Sequence, residues 1–481
     1  MAVDTDVLVV GGGISGLSTA WMLARAGAHT TLWERESVAG GLIRTDSANG
    51  YRMERAASMV MNFRPDVDQF LSEAGLDNLK IRRDALAEEN RYVLQRNQLI
   101  TVPGKLGSVP LSKVWSLRGK LRMALEPFIR KGGHDGETVS EFIRRRLGDE
   151  LLETAMEPFV AGNLASDPDR ANACAVLPRL TALEKRYGSI VKGVIVNKLH
   201  NRRTAMVSDS FSFKQGMSTL VKRLSSTLAM AGNARIDHQF TVTGIERQGD
   251  NWAVYARSPK GSHSICARHV VLSTPAPAAA ELANVIDPVL GDLLAGIDYA
   301  PLTLVHLGFD RSSVSHPLDG TGFLTPRGAG LSVTGNLWMS SLFPDRSPAD
   351  KVLLTSYQGG ARLPEAASWG DQRSVDAVLA QIGPLLKIKD APEHVHIHRH
   401  PQALPLYHGN YYNRCTAIEQ RLQQLTGLHL QANYLGGVSI RDRLATSRLT
   451  ADQIIADLGL SAHPGSDANL PAGKVWATNQ P

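Results

Sequence analysis

The sequence predicts an α/β protein that opens with a parallel strand, a glycine-rich turn and a helix, and three observations support this. Four consecutive apolar residues, 7–10, are typical of a strand buried on both faces of a sheet. Glycines follow directly in the order Gly11-x-Gly13-x-x-Gly16. A second strand-like stretch, residues 29–33, ends at Glu34. This order predicts a strand–helix–strand unit that binds a dinucleotide.

Each glycine of the turn has a distinct expected role. Gly11 permits a tight turn, Gly13 lets a pyrophosphate approach the backbone, and Gly16 lets the helix pack closely against the strand. The helix predicted over residues 14–26 directs the free N–H groups of its N-terminus at the phosphates. Glu34 stands where this arrangement places the acceptor for a ribose hydroxyl. The motif by itself fits both FAD and NAD.

The composition indicates a globular protein of two or three domains. The chain has 481 residues, 43% of them hydrophobic and 20% charged, with a net charge of +6. That modest excess is compatible with an anionic ligand or a membrane surface and does not require nucleic acid. Cys174, Cys266 and Cys415 are far apart and form no CxxC pair. A reducing, cytoplasmic compartment is therefore expected, and a disulfide framework is not.

Membrane contact, if it occurs, is expected to be peripheral and on the inner face of the cell membrane. No signal peptide and no apolar run long enough to span a bilayer is recognisable in the sequence. Residues 111–129 are the candidate segment, because cationic residues there alternate with Leu, Val, Trp and Phe. Such a segment either lies on an anionic membrane or exposes a solvated basic face.

Hydrophobic periodicity predicts the remaining elements. Helices are expected at residues 65–75, 139–147, 150–159, 220–229, 374–386 and 418–425, with residues 108–188 mainly helical. Strands are expected at residues 51–54, 91–94, 99–102, 210–213, 235–236, 242–246, 252–255, 269–273, 302–308 and 352–357. The tail beyond residue 462 is rich in Pro, Gly, Ser and Asn and is expected to be loose.

Two further glycine turns are expected to close around the dinucleotide. In the first, Gly40 and Gly41 return the chain over the ligand and Arg44 reaches its phosphates. The second follows a buried strand near residue 430, where Gly436 and Gly437 lead into a helix. A backbone N–H at this second turn is placed to meet the far end of the ligand.

No nucleophilic triad and no metal site is expected. The sequence offers no Ser-His-Asp or Cys-His arrangement with local motif support, and its 15 histidines show no metal-ligand spacing. His396, His398 and His400 alternate along a strand-like stretch. We interpret them as a polar row on a surface.

Together these motifs resemble the FAD-dependent amine oxidase and desaturase superfamily, and within it the protoporphyrinogen oxidase family. The superfamily resemblance rests on the first glycine turn, Glu34, residues 40–45, residues 273–275 and residues 433–442. The closer resemblance rests on stretches that occur in family order along nearly the whole chain: residues 91–92, 125–127, 157–162, 183–189, 211–217, 322–324, 342–348 and 359–360.

The resemblance implies a fold, a cofactor and a reaction. The fold is α/β, with a Rossmann-like FAD-binding domain built from discontinuous segments, a mixed-sheet substrate-binding domain and a helical, membrane-facing insertion. The implied bounds are 1–62, 208–292 and 405–462 for the FAD-binding domain, 63–104, 191–207 and 293–404 for the substrate-binding domain, 105–190 for the insertion and 463–481 for a loose tail. The reaction removes six electrons from a porphyrinogen. The non-covalently bound FAD carries the chemistry, so no catalytic side chain is needed. Oxygen or another acceptor regenerates the flavin, and a homodimer is compatible with the family.

The resemblance also assigns site residues. Cofactor contacts are expected from Gly11, Gly13, Ile14, Ser15, Gly16, Glu34, Arg35, Gly40, Gly41, Leu42, Arg44, Val242, Thr274, Asn433, Gly437, Val438 and Ser439. Substrate contacts are expected from Arg91, from Leu324, Leu337 and Tyr357 against the macrocycle, and from the backbone of Gly162. Arg91 is expected to pair with a propionate, since a guanidinium binds both oxygens of a carboxylate.

Two departures from the family pattern bear on the substrate. The family prefers glycine after Glu54, where this chain has Arg55, and Ser166 replaces another glycine. Arg55 is expected to add a carboxylate contact, which favours a porphyrinogen with more acid groups. The expected substrate is protoporphyrinogen IX, with coproporphyrinogen III second. The alternatives are another amine oxidase or desaturase activity and a flavin-bound assembly module without catalysis.

Overall fold

The computed structural model describes residues 3–103, 106–134, 136–199 and 209–461. The tail predicted beyond residue 462 lies outside these residues. The strands are β1 (Thr5–Val10), β2 (Thr30–Glu34), β3 (Thr45–Ala48), β4 (Tyr51–Glu54), β5 (Val60–Asn62), β6 (Lys80–Arg82), β7 (Tyr92–Gln95), β8 (Gln98–Thr101), β9 (Asp209–Phe213), β10 (Ala234–His238), β11 (Thr241–Gln248), β12 (Asn251–Ser258), β13 (Gly261–Leu272), β14 (Tyr299–Asp310), β15 (Gly322–Leu324), β16 (Val333–Trp338), β17 (Lys351–Gly359), β18 (His394–Pro405) and β19 (Leu428–Leu430).

The helices connect and cover these strands. They are α1 (Ile14–Arg25), α2 (Pro65–Glu73), α3 (Ala85–Glu89), α4 (Leu117–Ala124), α5 (Val139–Leu147), α6 (Asp149–Leu151), α7 (Glu157–Leu164), α8 (Ala173–Val176), α9 (Pro178–Tyr187), α10 (Ile190–Leu199), α11 (Ser218–Ala229), α12 (Ala276–Ile286), α13 (Pro288–Ala295), α14 (Met339–Leu342), α15 (Asp371–Leu386), α16 (Tyr411–Leu422) and α17 (Ile440–Asp457). Among the residues described, no helix is both long enough and apolar enough to cross a membrane.

The first seven-stranded sheet contains the predicted strand–helix–strand unit. Its order is β10-β2-β1-β13-β12-β11, and β19 pairs with β13. Strand β1 lies between β2 and β13, parallel to both. Val7 and Val9 pack into a core with Leu17 of α1, whereas Leu8 and Val10 pack into a second core on the opposite face. Burial on both faces explains why this strand reads as a continuous apolar run.

The second seven-stranded sheet is mixed and has the order β18-β14-β17-β16-β15-β7-β8. Only the β7–β15 pair is parallel among its described pairs. One face packs on α15 through residues such as Val305, Leu307 and Phe309. The opposite face meets the β3–β4 hairpin, where a side chain on Gly308 would collide with the ring of Tyr51. The predicted division into domains remains a prediction, although each sheet draws its strands from the expected segments.

The helical region departs from the prediction at its start. Residues 111–129 do not form one amphipathic helix: α4 covers only Leu117–Ala124 and begins at its cap, Ser116. A 3-10 turn, Glu126–Phe128, follows, because Pro127 has no N–H to continue an α-helix. Helix α5 has the predicted bounds, and its cap Thr138 forms a capping box.

Other helix predictions also differ from the observed bounds, two of them substantially. Residues 150–159 are divided among α6, a π-helical stretch Leu152–Met156 and α7. The helix expected at residues 418–425 is α16, which begins and ends earlier in the chain.

A buried ion pair holds the helical region together. The side chains of Arg146 and Glu126 are 0% exposed and contact each other directly. Glu126 also accepts hydrogen bonds from Ser189 Oγ (2.5 Å) and from the backbone N–H groups of Ile190 (2.9 Å) and Val191 (3.1 Å). Its carboxylate therefore lies at the N-terminus of α10, where negative charge is stabilised. Removal of Arg146 would leave the buried charge of Glu126 without its counterion, whereas Arg146 also lies 3.4 Å from Glu184.

Replacing Arg146 by alanine is expected to lower the free energy of unfolding by about 3–5 kcal/mol, because Glu126 loses its counterion. Urea denaturation measures this. Arg144→Ala on the same helix is the control, since Arg144 and its partner Asp149 are exposed, and it should cost less than about 1 kcal/mol. Equal effects of the two substitutions would contradict the structural role given to the buried pair.

Candidate active site

The first glycine turn leaves space at one position and none at another. A side chain on Gly16 would lie 1.9 Å from the carbonyl oxygen of Gly11, so α1 packs directly on the turn. Gly11 has φ +104°, a conformation that favours glycine, and a side chain there would approach the Ser273 oxygen to 2.8 Å. At Gly13, by contrast, a Cβ would meet nothing within 4 Å. The turn is therefore open at Gly13, the cap residue of α1.

The loop that carries the paired glycines lies on this turn. The Gly40 N–H donates to the oxygen of Gly12 at 2.7 Å. A Cβ on Gly41 would lie 3.1 Å from the Cα of Gly13. Nε of Arg44 is buried and has no hydrogen-bond partner among the described residues. The structure thus brings the two predicted glycine motifs together, and Arg44 lies near them with an unused donor.

Glu34 ends β2 beside the same turn. Its buried carboxylate accepts hydrogen bonds from the backbone N–H groups of Gly12 (2.6 Å) and Glu36 (2.8 Å). The Phe240 N–H donates to the Glu34 carbonyl at 2.9 Å. Val242, two residues further along the chain, lies at an irregularity in β11 and is therefore close to the end of β2. Sequence reasoning gave Glu34 a ribose contact and missed its bond to the turn.

Two residues predicted to contact the cofactor lie on the surface, next in sequence to Glu34 and Gly41. Arg35 is exposed and pairs with Glu36 at 3.3 Å. Leu42 is also exposed.

Two hydroxyl groups directly follow the end of β13 and lie beside the first glycine turn. Ser273 Oγ and Thr274 Oγ1 are buried and have no hydrogen-bond partner within the described ranges. Both residues adjoin Gly11, since the Thr274 nitrogen is 3.5 Å from a Cβ built there. Buried polar atoms are normally satisfied. The unpartnered hydroxyls, the Arg44 donor and the open Gly13 fit a bound dinucleotide such as FAD, which offers phosphate and ribose oxygens.

The late glycine turn lies near the residues that follow β13, and the helix after it lies against α1. Asn433 Oδ1 accepts a hydrogen bond from the Tyr299 hydroxyl (3.3 Å), which also accepts one from the Ala276 N–H (3.1 Å). Ser439 caps α17, and Ser447 on that helix donates to the Ser15 carbonyl at 3.1 Å. Helices α1 and α17 therefore lie side by side. Ile14 begins α1, and Gly437 and Val438 directly precede Ser439, the cap of α17.

The three residues predicted to face a macrocycle share one face of the second sheet. Gly335 pairs with Leu324 on one side and with Tyr357 on the other. Leu337, two residues further along the same strand, projects from that face as well. All three side chains are half-buried. A Cβ on Gly162 of α7 would lie 2.4 Å from Leu324 Cδ2, so the helical region closes this end of the face.

Arg91 lies at the edge of this face. It directly precedes β7 and is exposed. Val93, two residues later, pairs with Leu324, so alternation along the strand places Arg91 on the same side. The geometry keeps its guanidinium available at the rim.

Tyr357 points toward the chain that follows β4. Burial raises the pKa of its hydroxyl, and a hydrogen bond with Ser58 opposes that rise. Ser58 follows β4, so this contact joins the sheet face to the segment between β4 and β5.

Arg55 and Ser166, the two residues that depart from the family pattern, both contact other side chains of the protein. Arg55 donates to Asp46 through Nε (2.9 Å) and Nη2 (2.8 Å). Ser166 Oγ is 3.0 Å from His408 Nε2. Asp46 was not singled out in the sequence, because no local motif marks it.

The histidine row is not a free surface row, contrary to the sequence interpretation. Nε2 of His396 and Nε2 of His398 lie 3.3 and 2.7 Å from Asp46 Oδ2, and His400 Nε2 donates to the Arg55 carbonyl at 2.6 Å. All three are half-buried beneath β3. Burial lowers the pKa of His398 to about 4. Burial alone would raise the pKa of Asp46, but Arg55 and the histidines lower it to about 2.

Glu54 is a buried carboxyl group beside these segments. It accepts hydrogen bonds from Thr45 Oγ1 (2.7 Å) and from the Met217 N–H (3.0 Å), and it lies 3.7 Å from Arg346 Nη2. Burial raises its pKa to about 7 despite the opposing charge of Arg346.

The comparisons with known proteins agree with this geometry. The sequence matches the flavin containing amine oxidoreductase family over residues 14–455. It is 29% identical to the mitochondrial protoporphyrinogen oxidase of Nicotiana tabacum, over 94% of this chain and 95% of that protein. It is 24% identical to coproporphyrinogen III oxidase of Bacillus subtilis, over 91% and 95%. A crystal structure from Exiguobacterium sp. 255-15, described as a candidate protoporphyrinogen oxidase, superposes with a TM-score of 0.78 at 23% identity, over 95% and 100%. That likeness shows the predicted α/β fold.

Gly13→Ala is expected to weaken FAD binding at least tenfold, about 1.4 kcal/mol, without destabilising the apoprotein. The added methyl enters the open space at the turn and touches no protein atom. Fluorescence titration of the apoprotein with FAD and its thermal unfolding measure the two effects. Gly383→Ala, where a Cβ also meets nothing, is the control. Unchanged FAD affinity in Gly13→Ala would contradict a phosphate position at this turn.

Glu54 should make the protein less stable as the pH rises. Its carboxyl releases a proton near pH 4.5 when unfolded and near pH 7 when folded, so the folded state binds more protons between these values. Stability contributed by the neutral form is present below pH 4.5 and is lost as the pH passes 7. The free energy of unfolding should therefore fall between pH 5.5 and 8 by about 2 kcal/mol more than in Glu54→Gln. The same pH dependence in both proteins, measured by urea denaturation, would refute the assignment.

Proposed function

We propose that this chain, which belongs to the flavin-containing amine oxidoreductase family and is an FAD-dependent oxidoreductase, removes six electrons from a porphyrinogen. The preferred candidate substrate is protoporphyrinogen IX, and the second candidate is coproporphyrinogen III. The observation that carries the proposal is the half-buried apolar face formed by Leu324, Leu337 and Tyr357. Relatives named for both substrates match along most of the chain. Bound FAD would accept these electrons two at a time, so oxygen or another acceptor would have to reoxidise it three times for each porphyrin formed.

The first glycine turn and its surroundings hold the cofactor in this proposal. The open backbone at Gly13 and the N-terminus of α1 bind the phosphates. Arg44 offers a positive charge and an unused donor, and Ser273 and Thr274 offer hydroxyls. These groups fix the cofactor without a covalent bond.

The sheet face orients the substrate and excludes water. The tetrapyrrole macrocycle is largely apolar, so it packs on Leu324, Leu337 and Tyr357. Gly162 closes the slot at one end because its α7 backbone lies against Leu324. Arg91, at the rim, binds a propionate while the macrocycle remains on the face. No acid or base from the protein is required in this arrangement.

Arg55 supports protoporphyrinogen IX as the first choice. Its guanidinium is bound by both oxygens of Asp46, so a contact with a substrate carboxylate would first have to break that pair. We therefore propose that Arg55 adds no acid contact, which favours the substrate with fewer acid groups.

Anaerobic absorption spectroscopy of the FAD-loaded protein tests the proposed function. Protoporphyrinogen IX should bleach the flavin band without oxygen, because each flavin takes up two electrons. A porphyrin spectrum should appear after oxygen is admitted and reoxidises the flavin. Bleaching only by an amine or a polyene would replace the proposal with another activity of this family. No bleaching by any of these compounds would favour a role without catalysis.

Arg91→Ala is expected to raise the Michaelis constant for the porphyrinogen about tenfold or more and to change the turnover number little, since the propionate contact persists through the reaction. Arg91→Lys should recover only part of the loss, because lysine lacks the two-pronged donor set. Arg82→Ala, at another exposed arginine, is the control. If steady-state kinetics give the same Michaelis constant for Arg91→Ala and Arg82→Ala, a propionate contact of Arg91 is excluded.

We further propose that the helical region docks on an anionic membrane at the inner face of the cell membrane. Leu111, Leu117 and Phe128 are 88%, 84% and 82% exposed, which is unusual for large apolar side chains in one region. The exposed Arg118 and Arg130 lie among them. Cys174, Cys266 and Cys415 are far apart in the sequence and form no CxxC pair, which suits a reducing compartment.

Vesicle co-sedimentation measures this contact. Binding to vesicles with anionic lipid should exceed binding to neutral ones, should decrease with salt, and should be lost in the double variant Leu117→Ser with Phe128→Ser. Met230→Ser, at an equally exposed apolar residue elsewhere, should bind normally. Binding that ignores both salt and lipid charge would exclude the membrane proposal.

A further inference from the structure

We propose that Asp46, His396 and His398 form a binding site for a divalent transition-metal ion of the zinc class, at the flank of the substrate-facing sheet. One carboxylate and two imidazoles are ligands that zinc prefers in proteins. Three protein ligands leave a further position open to water. The inference does not depend on the identity of the organic substrate.

The distances within the cluster suit a shared ion. Two ligand atoms that bind one tetrahedral zinc, each at about 2.0–2.1 Å, lie about 3.3 Å apart. Asp46 Oδ2 lies 3.3 Å from Nε2 of His396 and 2.7 Å from Nε2 of His398, and the three ligand atoms all lie within 4.8 Å of one another. Despite its short distance, His398 Nε2 forms no hydrogen bond of acceptable geometry among the described residues. His396 Nε2 is within hydrogen-bond distance of Asp46 Oδ2, so the three ligand atoms converge while the nitrogen of His398 stays unsatisfied by the residues described.

A third imidazole adjoins the cluster and has an unused nitrogen. His306 lies directly opposite His396 in the β14–β18 pair, and its ring centroid is 5.8 Å from that of His398. Its Nδ1 contacts Thr355 Oγ1 at 2.9 Å. Its Nε2 is buried and has no hydrogen-bond partner in the part of the chain that the structure describes. An unpartnered buried nitrogen next to two converging imidazoles indicates a missing polar occupant.

The cluster joins two parts of the fold. Asp46 lies in β3, which belongs to the hairpin below the first glycine motifs, whereas the histidines lie in β18 of the second sheet. His398 is in register with Leu304, which in turn pairs with Tyr357. A bound ion would thus brace the hairpin against the sheet beside the apolar slot, and the side chain of His396, 34% exposed, gives it access to solvent.

The positive charge of Arg55 disfavours binding of a cation at Asp46, so a substitution of Arg55 tests the proposed metal site. Its guanidinium already binds both oxygens of Asp46, and its positive charge lies next to the proposed cation. Removing that charge should strengthen metal binding, whereas removing a ligand should weaken it. A nonspecific surface site would not show opposite responses to neighbouring substitutions.

The experiment uses the full-length FAD-loaded protein without a histidine tag. Equilibrium dialysis against ZnCl2, followed by elemental analysis, should show about one zinc per chain. Asp46→Asn, His396→Ala and His398→Ala should each weaken binding by more than about tenfold, and Arg55→Gln should bind more tightly than the parent. His134→Ala, in an exposed loop, is the matched control. Retained FAD absorbance verifies the fold of each variant.

Two results would overturn the site. The first is that neither the parent nor Arg55→Gln retains zinc above the His134→Ala background after removal of free metal. The second is that zinc binding is the same in the parent and in both histidine variants. If a ligand variant loses FAD, the Arg55→Gln comparison and the remaining variants still decide the question.

Discussion

The close packing of Gly16 on the carbonyl of Gly11 is the constraint on which the rest of the site depends. It leaves no room for any side chain at Gly16 and holds the first helix against the ends of β1 and β13. Glu34 reinforces the turn from the other side, since its buried carboxylate accepts the Gly12 N–H. The N-terminus of the helix and the open position at Gly13 are thereby fixed relative to each other. A cofactor phosphate can be recognised by backbone alone only when the backbone is held this firmly.

The second sheet provides the other half of the site through a single face. Strand register joins Leu324, Tyr357 and His398 into one row across the sheet, even though they are far apart in the chain. The helical region covers one end of this face at Gly162, and the β3–β4 hairpin covers the other end. The open middle is apolar, and the cation at Arg91 remains at its rim. This separation of an apolar centre from a charged edge suits a largely apolar macrocycle with acidic side chains.

Much of this arrangement could be predicted from local sequence, and some of it could not. The glycine turn and the bounds of α5 were predictable because each is set by neighbouring residues: glycine spacing in one case, a capping box in the other. The break after α4 was missed because an amphipathic pattern outweighed Pro127. The contact of Asp46 with His396 and His398 was not predictable, since some 350 residues separate the partners and only the tertiary fold brings them together. Residue roles that rest on family resemblance, such as the propionate contact of Arg91, concern bound molecules and stay predictions.

A crystal structure of the protein with FAD and the porphyrin product bound tests the central claim most directly. The account predicts that the macrocycle lies over Leu324, Leu337 and Tyr357, with a propionate at Arg91 and the cofactor phosphates at Gly13. A porphyrin that contacts none of these three apolar side chains, or cofactor phosphates away from the glycine turn, would contradict it.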